Sequence, residues 1–468
     1  MTEHNVTTDY LIIGAGAVGM AFADTLLSDS DADIIIIDSN HRPGGHWNQA
    51  YPFVQLHQPS AFYGVSSREL SNHMLNHSGF NEGLGHLASG VEILAYFESV
   101  MQERFLPSGR VRYFPMSDYE GDGIFRSILT GERTSVTVNQ KFVDATYLKT
   151  TVPSTHTPSF KIGEDVRFIP INDLPKMTES PDAYVVIGGG KTGIDACLWL
   201  MENHVDPNLI RWIMPRDGWM IDRRNTQPTI EFFNDTLGSQ AAQFEAIAAA
   251  TSVEDLFGRL EQAGVLLRID ENVTPKMFHG ATISRSELEA LRRIKNIVRM
   301  GRVSELKKGE IILDEGNLEV PENSIHIDCS ASAISNLETK PIFQDNLITP
   351  QTVRSYQPVF SASVIAHVEA TRETEKEKNQ LCGVVQLPNH DTDWLRMMVP
   401  FMMNQYQWSS DPEMREWLKG NRLDGFSAMV RSIDKEDAEK QAIMTRMRES
   451  AMPAMGNLHK LIAELDAS

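Results

Sequence analysis

Cysteine is scarce in this chain: three residues in 468, Cys197, Cys329 and Cys382, with no CxxC pair. A local thiol–disulfide centre and a cysteine-built zinc site are thereby excluded, and no metal site is expected; the low count fits a reducing compartment. Basic residues are also few, 43 Lys and Arg against 63 Asp and Glu, for a net charge of −20. Such a surface repels duplex nucleic acid and anionic membrane faces. No apolar run reaches the roughly 18 residues of a spanning helix, and the opening MTEHNVTTDY is too polar to read as a secretory signal. The cytoplasm is the expected address. Nothing in the sequence speaks to oligomeric state. What remains, 41% hydrophobic and 23% charged, is an ordinary globular composition, long enough for several domains at about 100–200 residues each.

What the chain does have is glycine in a particular order. Residues 9–19 read DYLIIGAGAVG. The apolar run Tyr10–Ile13 predicts a buried parallel strand that enters Gly14-x-Gly16-x-x-Gly19. A helical stretch follows to about Leu27, then a second apolar strand, Ile34–Ile37, ending at Asp38. Strand, glycine turn, helix, strand and acid form a dinucleotide fingerprint. Gly14 permits the tight turn, Gly16 admits a pyrophosphate to the backbone, and Gly19 lets helix and strand pack closely. The helix start, at Ala17 and Val18, offers free N–H groups and a partial positive charge to phosphates. Asp38, with Ser39 beside it, is placed to accept ribose hydroxyls.

A second cluster, AYVVIGGGKTGIDACLWL at 183–200, contains the Gly190-Lys191-Thr192 of a nucleoside-triphosphate loop. That loop needs glycine at 185, and position 185 is Val. The spacing that fits is Gly188-x-Gly190-x-x-Gly193, between a strand and a helix, a second copy of the first unit. Lys191 and Thr192 sit in its turn; Lys191 either contacts a pyrophosphate or points into solvent. The strand LIRWIMP then leads to Arg216. An acid here would favour NADH through the ribose 2′-hydroxyl, and an arginine favours the 2′-phosphate of NADPH. Arg216 argues for NADPH, and Asp217 keeps NADH open. Arg223 and Arg224 are candidates for the same phosphate or form a solvated surface pair.

Gly44-Gly45-His46-Trp47, soon after the first acid, resembles the GGxW segment of the flavin-containing and Baeyer–Villiger monooxygenases, which runs along the flavin. The following VQLHQPSAFYG, 54–64, is similar to the segment that carries an Asn near the flavin ring in that family. The resemblance makes FAD the expected ligand of the first unit, with Gly45, His46 and Trp47 along it, although Trp47 also suits a plain core position. Gln58 takes the place of the Asn, its amide implied to hydrogen-bond the oxygenating flavin or the nicotinamide. His57 is either a proton donor or a packed structural histidine. The second unit is similar too, with Asp195 after the third glycine and the run WIMPRDGWMIDRR. The likeness covers about residues 8–220, plus a short region where SIHIDCSASAISN, 324–336, looks like the return strand that closes FAD domains. The family fingerprint FxGxxxHxxx(Y/F/W) is missing; its stretch offers Phe168 and no matching glycine or histidine, which argues against a typical Baeyer–Villiger enzyme.

The expected fold class is α/β: two Rossmann-like dinucleotide-binding domains, for FAD and NAD(P), with a mainly helical C-terminal region. The expected boundaries are 1–180 for the FAD domain, 181–322 for the NAD(P) domain with a helical insertion, 323–365 for an FAD return segment, and 366–468 for the helical region. Residues 111–150 read as a β-meander and 229–265 as helical; Ser284-x-x-Glu287 reads as a capping box opening the helix ELEALRRIKNIVRM, and EIILDEGNLEV as a hairpin. The run DWLRMMVPFMMNQYQW, 393–408, is either a core helix broken at Pro400 or an adaptable methionine wall for a substrate tunnel. The resemblance implies an FAD-dependent, NADPH-reduced monooxygenase that forms a C4a-(hydro)peroxyflavin and passes oxygen from O2 to nitrogen or sulfur of a small substrate. The alternatives are an FAD/NAD(P)H dehydrogenase or reductase without oxygen insertion, and a non-catalytic nucleotide-binding protein.

Overall fold

The computed structural model describes residues 4–71, 74–148, 150–331 and 337–467. Two parallel sheets organise it. The first runs Val111–Phe114, Ile34–Ile37, His4–Ile13, Arg133–Asp144 and Leu347–Ile348 in spatial order, all parallel, with Phe343–Gln344 antiparallel at the edge. The run of four isoleucines at 34–37 follows from burial on both faces. Ile34 and Ile36 join the main core under the helix Ala17–Asp29, while Ile35 and Ile37 join a smaller core under the hairpin Ser117–Gly121/Ile124–Ser127. The second sheet runs Arg167–Pro170, Ser324–Asp328, Ala183–Ile187, Ile210–Ile213 and Asn296–Val298, all parallel. It splits its side chains likewise: Val186 and Trp212 reach the main core, and Val185, Ile187 and Ile213 pack on the hairpin Glu310–Leu313/Gly316–Glu319.

Three expectations are corrected. Ser324–Asp328 does not return to the first sheet; it lies between Arg167–Pro170 and Ala183–Ile187 in the second. The second unit therefore runs past 322, and the chain regains the first sheet at Phe343–Gln344 and Leu347–Ile348. Residues 332–336 of that motif, including Ser332, lie outside the described residues. The helix opened by Ser284 has its capping box but stops at Leu291, because Asn296–Val298 is taken as an edge strand by Ile210–Ile213. The meander of 111–150 is partial, since Val111–Phe114 is a parallel edge strand rather than part of the hairpin.

Between the second sheet's last two strands the insertion forms two helices, Phe233–Ala249 and Val253–Gln262. They pack on the C-terminal helices Asp393–Ser410 and Ala438–Ala467 around Trp219, Phe257, Trp394 and Leu458. Asp393–Ser410 continues unbroken through Pro400. Among the described residues no helix is long and apolar enough to cross a membrane.

Candidate functional site

Both glycine turns close in the same way. Gly14 has φ +101° and Gly188 φ +132°, left-handed values that favour glycine. The chain then extends at Gly16 and Gly190 and opens the helices Ala17–Asp29 and Lys191–Glu202, neither with a side-chain cap. First-turn amides without a cap are what a phosphate satisfies. A methyl group added at Gly19 would lie far inside 3.0 Å of the Gly14 carbonyl oxygen, and one at Gly193 would do the same to Gly188. A methyl at Gly190 would meet nothing within 4 Å, and at Gly16 only the Gly45 Cα at 3.5 Å. The third glycines thus serve helix–strand packing, and the middle ones keep the space before the helix amides open. The shape fits a pyrophosphate in each unit.

In the first unit Asp38 is buried at the strand end. Its Oδ2 accepts from the Ala15 amide at 2.6 Å, and its Oδ1 accepts from the Asn40 amide and side chain at 2.7 and 2.8 Å. Oδ2 keeps capacity for a further donor such as a ribose hydroxyl. Ser39 beside it is exposed, and Ala17 and Val18 are partly buried in the first turn. The Gly-Gly loop is pinned to this turn: the Gly44 amide donates to the Ala15 carbonyl at 2.8 Å, and Gly45, at φ +55°, passes so close that a methyl would sit 2.9 Å from the Gly16 Cα. Trp47 takes its core role, buried with Nε1 donating to the Tyr63 hydroxyl at 2.7 Å. His46 stacks beside it, ring centroids 5.1 Å apart.

Burial pushes the His46 imidazole down to about 4, so it is neutral across the physiological range. A histidine whose folded value lies below its unfolded value, near 6.5, adds stability that is fully present above 6.5 and is lost as pH falls toward 4. His279 and His326 shift in the same direction by burial. We expect the thermal midpoint to fall steadily from pH 7 to pH 5, and His46→Gln to flatten that slope. With its partial exposure the His46 share is on the order of 1–2 kcal/mol.

The units meet at the segment 51–58. The Tyr51 hydroxyl donates to Asp195 Oδ2 at 2.6 Å, and Phe53 stacks on Trp199 at 4.9 Å. Lys191 forms an ion pair with Asp195 one turn along its helix. It is partly buried rather than pointing freely into solvent, and an acid at i+4 engages one of its three donors. Thr192 is partly buried in the same first turn. His57 is an exposed residue whose carbonyl accepts from Arg223 Nε at 3.2 Å. Desolvation by the surrounding protein holds its imidazole well below the usual range, helped by Lys191 and Arg223 and opposed by Glu287. His57 is thus a neutral group. Gln58 is partly buried, with no hydrogen-bond partner among the described residues.

Around Arg216 the geometry separates two neighbours the sequence left undecided. Arg299 holds Asp217 with two bonds, 2.8 and 2.9 Å, so that carboxylate is neutralised inside the fold. Arg216 bonds Asn389 at 3.0 Å and His390 at 3.5 Å, and burial beside Arg302 lowers its proton affinity. Among the described residues it has no acidic partner. Arg302 is a second cation near enough to act on it. Asn389, His390 and Arg302 were missed in the sequence because they come from elements 86 to 174 residues away. Arg223 is corrected outright. It is fully buried, paired with Glu287 at 2.7 Å, bonded to Asn81, and donating to the carbonyls of Thr282 at 2.7 Å and His57 at 3.2 Å. Four of its five N–H donors are taken inside the fold, which makes it a buried anchor rather than a surface cation. Arg224 is a half-exposed surface group paired with Asp235 at 2.9 Å, well separated in role from its neighbour.

Comparison with known proteins adds three findings. Residues 12–72 match the family model for NAD(P)-binding Rossmann-like domains. Solved structures similar to this chain include a flavin monooxygenase from Stenotrophomonas maltophilia, at TM-score 0.45 and 12% identity over 81% of this chain and 100% of that one. Another is an oxidized steroid monooxygenase bound to NADP, at TM-score 0.48 and 14% identity over 78% and 85%. The uncharacterized protein Rv2000 of Mycobacterium tuberculosis is 46% identical over 457 residues, spanning 98% of this chain and 85% of the relative. With two Rossmann-like units in tandem and that degree of identity along nearly its whole length, the chain belongs to the family of Rv2000.

Proposed function

We propose that the protein is an FAD-dependent oxidoreductase reduced by NADPH, and that it acts as a monooxygenase on a nitrogen or sulfur centre of a small organic substrate. The observation that carries this reading is the duplicated cradle: two uncapped helix starts, each facing a glycine whose side-chain space is open. Bound there, NADPH would supply hydride, and FAD the electron transfer and oxygen chemistry that the protein side chains lack. The residues divide the remaining work. The Gly14–Gly19 turn and Asp38 hold the first dinucleotide, with the loop Gly45–Trp47 pinned against it. The Gly188–Gly193 turn holds the second, and Arg216 with Arg302 takes its 2′-phosphate. The Tyr51–Asp195 hydrogen bond ties the segment after the Gly45–Trp47 loop to the helix that opens the second cradle, and would help hold the two bound dinucleotides in register. Neutral His57 and the unpartnered Gln58 amide offer hydrogen bonds beside that contact without adding charge.

The test is direct. Purified protein should carry FAD, its visible absorption should bleach under anaerobic NADPH, and isotopically labelled O2 should appear in the product of a thioether or amine. Failure of NADPH to bleach a flavin-loaded protein removes the reading. Bleaching without label in any product reduces it to a dehydrogenase. For the coenzyme, Arg216→Leu should raise the Kd for NADPH about 10–100-fold, the worth of a charged hydrogen bond, and leave NADH binding unchanged. Equal loss of both coenzymes would show that Arg216 does not read the 2′-phosphate.

A further inference from the structure

The helical insertion and the C-terminal helices line a cavity of about 170 Å³ that is partly open to solvent. Gln58 contributes to its wall from the first unit, Gln240 and Gln243 from the helix Phe233–Ala249, and Trp394, Met397 and Met398 from the helix Asp393–Ser410. An engineered apolar cavity of about 150 Å³ admits benzene, so this one has room for a single ring with a small substituent. Methionines at the wall adapt to irregular shapes; the methionine run thus lines a cavity as well as packing a core, the two roles the sequence left open.

The chemistry of the wall is uncharged. Among the described lining residues the one charged group is Arg354, buried and paired with Asp424 at 2.7 Å, its guanidinium 3.8 Å from the Phe360 ring centre. Gln58 and Gln240 are partly buried and have no hydrogen-bond partner among the described residues. Gln243 reaches only the Met398 sulfur, at 3.5 Å. Amides left unmatched at a largely apolar wall are completed by a ligand polar group or by water. Gln58 also belongs to the segment 51–58 through which the first unit contacts the second.

We propose that this cavity is the substrate chamber, and that it takes a small, neutral, mostly apolar molecule of about one substituted ring whose single polar group is bound by the amides of Gln58 and Gln240. That it holds the substrate rests on the oxidoreductase reading; the class of ligand follows from the wall alone. An ammonium would meet no acidic group on the wall, and a carboxylate only an arginine already paired with Asp424, so either ion would lose hydration that the wall does not replace. Of the two centres proposed for oxygen insertion, the chamber therefore favours a thioether over a protonated amine.

Calorimetric titration of the cofactor-loaded protein with four probes of similar size tests this: acetophenone, α-methylstyrene, benzoate and benzylammonium. Acetophenone should bind at least tenfold more tightly than either ion, and about fivefold more tightly than α-methylstyrene, the worth of one neutral hydrogen bond. Gln240→Leu should erase the preference over α-methylstyrene and leave α-methylstyrene binding intact. An ion that binds as well as acetophenone overturns the ligand class, and absence of binding by all four overturns the chamber. A Q240L protein that loses both neutral probes equally overturns the role of that amide. Should Q240L not fold, the four wild-type affinities decide alone. Reduction by NADPH is scored in parallel. Protein that binds acetophenone but is not reduced keeps the chamber and loses the oxidoreductase. Protein that is reduced but binds no probe keeps the enzyme and loses the chamber.

Discussion

Arg223→Met is expected to destabilise the protein by about 3–5 kcal/mol, the cost of stranding a buried charge, whereas Arg224→Met should change stability by less than about 0.5 kcal/mol. The two arginines are adjacent, yet their surroundings are opposite. Arg223 is fully buried, and Glu287, itself buried, would lose its cation. The same Glu287 Oε2 accepts from the Ser284 amide at 2.7 Å, so the change also loosens the start of the helix Arg285–Leu291. Arg224 sits at the surface, and its pair with Asp235 is open to solvent. Adding Glu287→Gln to the Arg223 variant should recover part of the loss, since a neutral amide tolerates burial where an orphaned carboxylate does not. Thermal unfolding of the four proteins checks the ordering. Equal midpoints for the two single arginine variants would show that Arg223 is not a buried anchor.

Gly193→Ala and Gly190→Ala should fail in different ways. At Gly193 the added methyl collides with the Gly188 carbonyl oxygen and lies 3.2 Å from Trp212 Nε1. Both neighbours are fixed: Trp212 is fully buried, and its Nε1 donates to that same carbonyl at 2.8 Å. Helix and strand must separate, at a cost of about 3 kcal/mol or more for overpacking a rigid site, and the thermal midpoint falls. At Gly190 the backbone φ is −84° and the methyl meets no protein atom. The fold should hold its midpoint while NADPH binding drops at least tenfold, because the methyl occupies the face offered to the pyrophosphate. Normal NADPH affinity in Gly190→Ala would remove the second cradle as a coenzyme site.

What could be read from the chain ahead of the structure was local. The strand–glycine–helix units are written within about 30 residues each, and their turns close as the spacing required. The capping box at Ser284 was legible for the same reason. Where the sequence misled, the deciding partner lay far away. SIHID suits any buried parallel strand, and only the neighbours Arg167–Pro170 and Ala183–Ile187 determine which sheet receives it. Arg223 reads as a surface cation until Glu287, 64 residues on, comes to meet it. Lys191 reads as open between a phosphate and solvent, and the structure adds its pair with Asp195, one helical turn on. The chamber was half legible: the methionine run was noticed, but its facing glutamines on the insertion carry no motif.

The long detour of the chain bears on how the protein is made. The helix Ala17–Asp29, which opens the first cradle, lies against the helix Pro358–Thr371. Thr25 bonds Ser363 at 2.7 Å, Tyr10 bonds Glu369 at 3.0 Å, and Asp29 bonds His367 at 2.8 Å. A nascent chain emerging from the ribosome therefore holds that helix uncovered until more than three hundred further residues have been translated. Capture of the first dinucleotide becomes a late, near-complete step of maturation, and an isolated amino-terminal fragment ending near residue 180 would emerge sticky and unable to retain it.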